Sequence, residues 1–333
     1  MASQPHSQNS NLFTAALHDV RYFTNMLRGI SFATHATVTL EPAGLLVSVE
    51  RGRFMSASAY LRRMMFDEFA YEPIDGQHNT VFELRLDYLL ECLNIFGSGF
   101  ASVNSSSELR SKKLGGEDSD DGNGRIDQYF QRTGDSRRTG MRMSYAGPGH
   151  PLVLLLSEDV AGPKTTCKIT TLEPEEGLDL AFDDERKVVK IIMKSSWLRD
   201  ALSELESWSC KNLTFMVTPP TVPASYSGKG KQTQAKQSNL RIRAEGAFGS
   251  TEMDYPNDKE VLESFECHEE VSFTYKFAHI HGCLQALKSS TKTSMRIDDE
   301  GLLSMQFMMP APSEHITAFI EFRCLPLDEE LVQ

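Results

Sequence analysis

The stretch Thr165-Thr166-Cys167-Lys168-Ile169-Thr170-Thr171-Leu172-Glu173-Pro174-Glu175-Glu176-Gly177-Leu178-Asp179-Leu180-Ala181-Phe182 lies at the middle of a chain of 333 residues. Polar and apolar residues alternate through its opening. A Pro and a Gly then stand among Glu173, Glu175, Glu176 and Asp179, and the alternation resumes, which predicts strand, crossing segment, strand. No helical period fits. The pattern of elements before the stretch resembles the pattern after it, so 172–184 reads as a connector between two copies of one domain, at 12–171 and 185–326. The ends 1–11 and 327–333 are expected to be a disordered leader and an acidic tail.

A chain of this length with 40% hydrophobic residues can bury two cores, because single cores stop growing below this size. No apolar run approaches the roughly 20 residues of a membrane helix. The polar start Met1-Ala2-Ser3-Gln4-Pro5-His6-Ser7 has no apolar signal region, so an intracellular protein is expected. Cys92, Cys167, Cys210, Cys267, Cys283 and Cys324 occur singly within apolar segments, which predicts buried thiols rather than a zinc or dithiol site. A net charge of -12 excludes a broad basic surface gripping phosphates, so any contact with DNA must be local or topological.

Working outward, the same order of elements recurs four times. After a short strand from Leu12 to Leu17, Asp19 is a candidate cap for a helix from Val20 to Gly29. That helix would bury Val20, Phe23, Leu27 and Ile30 and turn Arg21, Asn25 and Arg28 outward. Strands follow near Ala36, Leu45 and Arg53, with Glu41-Pro42-Ala43-Gly44 as a hairpin turn. A second helix is expected over Asp87 to Gly97. A third, capped by Ser196, would bury Leu198, Ala201, Leu202 and Leu205, and a fourth Ile280, Cys283, Leu284 and Leu287. Each helix has a single apolar stripe and needs a sheet to cover it, so the polar stripes should line one common surface. Insertions at 98–139 and 219–238 are rich in small, polar and charged residues and are expected to be disordered.

Several constellations have plain readings. The run from Ser119 to Ile126 resembles part of a calcium loop but puts Phe130 where a bidentate Glu belongs, so it reads as a solvated acidic loop; Ser119 before two aspartates could accept phosphate. Gly228-Lys229-Gly230-Lys231 lacks the first Gly and the final Ser or Thr of a phosphate loop. His279 and His281 flank Ile280 and read as exposed helix histidines rather than metal ligands. Glu173, Glu175, Glu176 and Asp179 share one extended segment and read as solvated acids rather than a nuclease's metal cage. Helix one offers Arg21 and Arg28, and helix four offers His281, Gln285 and Lys288 at the same spacing, with Lys292 just beyond. Helix three, with Arg199 and Glu206, is mixed, and helix two is acidic.

Four such units, two domains and a central connector resemble the PCNA-type sliding clamps, an α+β fold with antiparallel sheets outside and helices lining the inner face. The runs Leu90-Glu91-Cys92-Leu93-Asn94-Ile95-Phe96-Gly97, Cys167-Lys168-Ile169 with Glu173-Pro174-Glu175-Glu176, Leu198-Arg199-Asp200-Ala201-Leu202-Ser203-Glu204-Leu205 and Asp254-Tyr255-Pro256 are similar to the Rad-one-type subunits of the nine-one-one checkpoint clamp. The resemblance implies a non-catalytic nuclear subunit of a heterotrimeric ring around double-stranded DNA, without cofactor or metal. Its implied partners are two other PCNA-like subunits, a checkpoint clamp loader, and repair and signalling proteins. Arg21, Arg28, Arg199, His281, Lys288 and Lys292 would face DNA. The edge strands carrying Thr166, Cys167, Lys168, Ile169 and Thr170, and Phe248, Ser250, Glu252, Met253 and Asp254, would pair with neighbours. Val49, Phe54, Leu178, Leu180, Arg323, Leu325 and Pro326 would form a groove for partner proteins, although Arg323 stands where the homotrimeric clamps have an aromatic. A metal-dependent exonuclease and a homotrimeric replication clamp are the competing readings.

Overall fold

The computed structural model describes residues 11–73, 78–96, 138–158, 162–178, 180–206, 209–219, 238–313 and 315–327. The leader, most of both insertions with the runs at Ser119 and Gly228, Asp179 and nearly all of the acidic tail lie outside the described residues.

In chain order the elements are β1 (Phe13–Leu17), α1 (Val20–Gly29), β2 (His35–Glu41), β3 (Gly44–Arg51), β4 (Met55–Arg62), a 3-10 turn (Arg63–Met65), β5 (Glu68–Tyr71), β6 (Thr80–Arg85), α2 (Leu86–Leu93), β7 (Gly140–Tyr145), β8 (Leu152–Ser157) and β9 (Lys164–Ile169). They continue as β10 (Lys187–Lys194), α3 (Ser195–Glu206), β11 (Cys210–Val217), β12 (Ser238–Gly246), β13 (Gly249–Pro256), β14 (Leu262–Cys267), β15 (Val271–Lys276), α4 (Phe277–Ile280), a 3-10 turn (His281–Cys283), α5 (Leu284–Ser289), β16 (Lys292–Asp298), β17 (Leu303–Met309) and β18 (Ala318–Cys324).

Three antiparallel sheets result, ordered β5-β1-β7-β8-β9, β14-β10-β16-β17-β18-β4-β3-β2-β6 and β13-β12-β11-β15. The nine-stranded sheet joins the two halves of the chain, because β18 pairs with β4 from Phe319↔Tyr60 to Cys324↔Met55. Gly44 makes the β2–β3 turn with φ +149°, and a Cβ there would fall 2.2 Å from the Leu61 carbonyl oxygen, so only glycine fits.

Helix α1 begins where the sequence places it. The Asp19 carboxylate accepts the Arg21 backbone N–H at 3.0 Å, and Val20, Phe23, Leu27 and Ile30 are buried. Each such side chain stabilises the fold by about 1.5–3 kcal/mol on leaving water. The helices form one layer, α1 packing between α2 and α5 and α3 packing on α5, and they lie on one face of the nine-stranded sheet. Contact between α1 and α5 is close at Gly29, where a Cβ would lie 3.5 Å from the Ala286 Cα and 2.2 Å from Ile320 Cδ1.

Several sequence expectations are corrected. The connector is not a strand after its turn: among the described residues from 170 to 186 its only ladder contact is a bridge between Leu172 and Glu83, and the next strand starts at Lys187. Helix α2 ends at Leu93, where the Asn94 N–H turns onto the Leu90 and Glu91 carbonyls. Helix α3 starts at Ser195 rather than after a Ser196 cap. The Ser195 hydroxyl is buried, 2.9 Å from Thr293 Oγ1, and accepts from Ser290 Oγ at 2.7 Å. The fourth helix is broken at Gly282, against which Met55 and Phe322 pack. Cys267, Cys283 and Cys324 are buried, but Cys92, Cys167 and Cys210 only half so.

Candidate nucleic-acid interface, strand edges and connector groove

Alternation along α1, α3 and α5 turns a polar face away from the sheet, and the six cations expected there differ in what they do. Arg21 is buried: its side chain is 6% exposed, with Nε 2.9 Å and Nη2 2.6 Å from the equally buried Asp19 carboxylate. It therefore serves the helix start, and its burial against Asp19 corrects the expectation that it turns outward. Arg28 is half-buried in the last turn of α1. Arg199 is held 2.9 Å from Asp200 on its own helix. His281 Nε2 lies 3.3 Å from Glu206 Oε1, too misaligned for a hydrogen bond. Lys288 is exposed and has no ion pair among the described residues. Lys292 belongs to β16, not to a helix. It shares the alternation phase of Ser294 and Arg296 and sits 2.6 Å from Glu263, which puts it on the opposite face of the sheet.

His279 and His281 are half-buried rather than exposed, because His279 stacks on Phe54 at 5.6 Å and His281 leans on Phe277 at the same distance.

Among the described residues, strands β9 and β13 each hydrogen-bond to one neighbouring strand. On β9 and just beyond it, Thr166, Lys168 and Thr170 are exposed, Cys167 is half-buried and Ile169 is buried. Burial, with a hydrogen bond to Cys167, pushes the Cys92 thiol of α2 up to about 12 behind this strand. On β13, Ser250, Glu252 and Asp254 are exposed and Met253 half-buried, while Phe248 in the preceding turn is 89% exposed. Arg241 of β12 pairs with Asp254 at 2.7 Å and Glu252 at 3.3 Å, so these two acids of the edge share one guanidinium within the chain.

The outer face of the nine-stranded sheet carries a feature that sequence reasoning missed. Strand register aligns Glu50, Ser56, Arg323, Ser304 and Arg296 in one row across β3, β4, β18, β17 and β16. The connector runs along this row. Glu50 accepts the Leu178 N–H at 2.9 Å, Arg323 Nη1 donates to the Leu180 carbonyl at 2.9 Å, and Arg296 Nη1 lies 2.9 Å from Asp184 beneath the Phe182 ring. Glu321, 5% exposed, ties the row together, accepting from Arg296 and Arg323 at 2.7 Å each and from Ser304 at 2.9 Å. Burial works to raise the Glu321 pKa. The hydrogen bond and charge of Arg323, helped by Ser304 and Arg296, outweigh it and hold the carboxyl below its ordinary range.

Of the groove residues, Leu178, Leu180 and Arg323 meet on this row, whereas Leu325 binds the Phe54 carbonyl through its N–H at 2.9 Å, at the tip of the β3–β4 hairpin, with Pro326 next to it. Val49 is corrected: it is 1% exposed and, in phase with Leu45 and Val47, points toward the helices. The signal available in sequence was the charged phase of β16 and β18, but the pairing of β18 with β4 that aligns the row is tertiary.

No group of three or more His, Cys, Asp or Glu able to hold a metal ion occurs among the described residues, and Glu173, Glu175 and Glu176 are exposed. No helix of the described residues is long and apolar enough to cross a membrane.

Comparison with known proteins follows this geometry closely. The solved structure of the proliferating cellular nuclear antigen from Entamoeba histolytica superposes with a TM-score of 0.65 at 12% identity, covering 96% of this chain and 100% of that one, which shows a PCNA-like fold. The chain is 30% identical to the DNA damage checkpoint control protein rad1 of Schizosaccharomyces pombe over 317 residues, 95% of this chain and 87% of that protein. It is 26% identical to the DNA repair exonuclease REC1 of Mycosarcoma maydis, with 95% and 96% covered. Residues 12–309 match the family described as Repair protein Rad1/Rec1/Rad17, and the chain belongs to that family.

Proposed function

We propose that this chain is a non-catalytic subunit of a heterotrimeric checkpoint sliding clamp. It encircles double-stranded DNA at sites of damage in the nucleus, without reading sequence, and is a platform for checkpoint-signalling and repair proteins. Two other PCNA-like subunits complete the ring, and a clamp loader opens it. The observation that carries this reading is the pair of strand edges, β9 and β13, that have one neighbour each at the ends of two different sheets, joined through a layer of helices. A ring closed through such edges holds DNA by topology and needs only weak phosphate contacts, which suits a chain of net charge -12. Arg28, Arg199, His281 and Lys288 would supply them. The relative named a checkpoint control protein supports the checkpoint role.

The test is sizing. The chain alone should run as a monomer near 37.3 kDa and should form a ring only with the two other subunits. A homotrimer of the chain alone would instead make it a replication-type clamp. A second reading, a metal-dependent exonuclease, is favoured by the name of one relative. The exposed, dispersed acids of the connector speak for the non-catalytic reading. Nuclease activity that survives stringent purification and disappears in Glu173→Ala/Glu175→Ala would reverse it.

A further inference from the structure

The β3–β4 hairpin and the start of α4 meet at a corner that neither the ring edges nor the connector row uses. Gly52 turns the hairpin with φ +59°, placing Arg51 and Arg53 on either side of it and Phe54 just after. The Phe54 ring stacks on His279 with centroids 5.6 Å apart and an interplanar angle of 19°. Lys276 Nζ lies 5.9 Å from the same ring. Phe54 nevertheless stays 51% exposed, so one side of its ring remains open to a further partner. The Leu325 N–H bond to the Phe54 carbonyl holds the hairpin tip to the chain after β18, so the platform is fixed rather than loose.

The corner is also positive. Arg53 and Lys276 are exposed and have no ion pair among the described residues, and Arg51 stands over the Phe32 ring at 5.3 Å while donating to the Phe32 carbonyl. Three acids around it are engaged elsewhere: Glu50, next to Arg51 in sequence, holds the Leu178 N–H on the outer face, Asp87, which lines a cavity with Arg51, is paired with Arg85, and Glu206 faces His281. Burial lowers the His279 pKa and the charges of Lys276 and Arg51 lower it further, so this imidazole sits in a cationic field and is a neutral stacking partner at physiological pH. In a chain of net charge -12 such a corner is a local exception.

We propose that Arg51, Arg53, Phe54, Lys276 and His279 form a binding site for single-stranded nucleic acid, which takes an unpaired base against Phe54 and backbone phosphates on the cations. An exposed aromatic platform with cations around it fits unstacked bases, each of which has an open π-face. A duplex offers phosphates but no such face in its interior steps. An acidic protein segment would satisfy the cations and leave the aromatic pair without a role. The placement of this corner at the mouth of a DNA channel, next to the helix layer, rests on the clamp reading; the binding chemistry does not.

The test uses the full chain alone, so that ring assembly plays no part. Fluorescence anisotropy would follow a fluorescein-labelled oligothymidylate of about 15 nucleotides, against a duplex of equal length and a poly-glutamate peptide. The single strand should bind best and be released by salt. Phe54→Ala should weaken it at least about fivefold, the loss of one base stack. Arg53→Ala/Lys276→Ala should lower the salt slope by about 1.4, at roughly 0.7 per phosphate contact on a single strand. All these side chains are exposed, and circular dichroism would show that the variants fold. Tighter binding of the duplex, equal competition by poly-glutamate, an unchanged affinity in Phe54→Ala, or no binding of the single strand at low salt would each overturn the site. None of these would touch the clamp reading, and a failure to assemble a ring would not touch the site.

Discussion

The two faces of the nine-stranded sheet treat charge in opposite ways. On the outer face, Arg296, Glu321 and Arg323 stand on strands whose alternation turns them toward solvent, yet the connector lies over them, and Arg296 and Glu321 end up buried and Arg323 half-buried in a hydrogen-bonded row. On the helix layer, Lys288 and Arg28 keep contact with water. The same residue types at the same outward phase are thus structural where chain covers them and available where none does. A charge on a polar stripe is evidence for a ligand only after the covering segment is known. Arg21 makes the point from the other side, since its stripe position predicted DNA contact and its partner Asp19 removes it from solvent.

The largest expected effect comes from breaking the covered face. Glu321→Ala leaves the buried Arg296 with Asp184 as its remaining carboxylate and the half-buried Arg323 with the Leu180 carbonyl, and should destabilise the protein by about 2–3 kcal/mol in urea denaturation. A loss under about 1 kcal/mol would mean that water reaches the row and that the contrast between faces is false. The pH dependence gives a second reading of the same contact. Because the folded Glu321 carboxyl titrates below its ordinary value of 4.5, its contribution is fully present above that pH and is lost as pH falls through the lowered value. The stability gap between the native chain and Glu321→Gln should therefore be constant from neutral pH down to about 5 and shrink below 4.5. A gap that widens in acid would mean the carboxyl is destabilised by its site.

The Arg21–Asp19 pair is the next largest. Arg21→Ala strands a buried carboxylate at the first turn of α1 and should cost about 1–3 kcal/mol, read as a lower urea midpoint. If Arg21→Ala instead left stability unchanged and only weakened DNA retention, Arg21 would belong with Lys288 after all.

Much of this was legible in the residues themselves. Asp19, followed by the Val20, Phe23, Leu27 and Ile30 stripe, fixed both ends of α1, and the buried stripe of α3 follows from Leu198, Ala201, Leu202 and Leu205 alone. These are local signals, in which capping and period 3.6 act within one element. What the residues could not show depends on neighbours far along the chain. Lys292 looked like the end of a helical stripe because β16 begins within a turn of α5, and only strand phase sends it to the far face. The connector after Gly177 alternates like a strand but finds no ladder, since Glu50, Arg323 and Arg296 satisfy it from distant strands. Val49 shares the face of Leu45 and Val47 by alternation alone, but that this face is the one the helices cover is a tertiary fact.

A smaller effect would separate the two ends of the connector. Its first half is held to the row by Glu50 alone and its second half by two arginines. Glu50→Ala should leave global stability almost unchanged while hydrogen exchange at the Leu178 amide speeds up about two- to tenfold, the equivalent of one hydrogen bond of about 0.5–1.5 kcal/mol. Exchange that accelerates equally from 178 through 184 would show the connector opening as one piece, and the division into weak and strong halves would fall.

Lys288→Glu should be the mildest change to the fold and the cleanest probe of the uncovered face. The side chain is exposed near the C-terminus of α5, at the edge of the stripe that buries Leu284 and Leu287, and it has no ion pair among the described residues. Surface substitutions of this kind shift stability by about 0.5 kcal/mol or less. Placing a carboxylate near a helix C-terminus is slightly unfavourable, which sets the sign of that small shift. If α5 faces DNA in an assembled ring, the charge reversal removes one phosphate contact, so the salt slope for retention on blocked-end DNA should fall by about 0.9. Arg199→Glu should do less, because Arg199 is already drawn to Asp200 and its charge is partly spent before DNA arrives. In the proposed ring, closure runs through β9 and β13, so assembly should be unaffected in both variants. A salt slope unchanged in Lys288→Glu, with the ring intact by sizing, would mean that the helix layer does not face the DNA, and the contrast between a structural face and a binding face would then have to be drawn elsewhere.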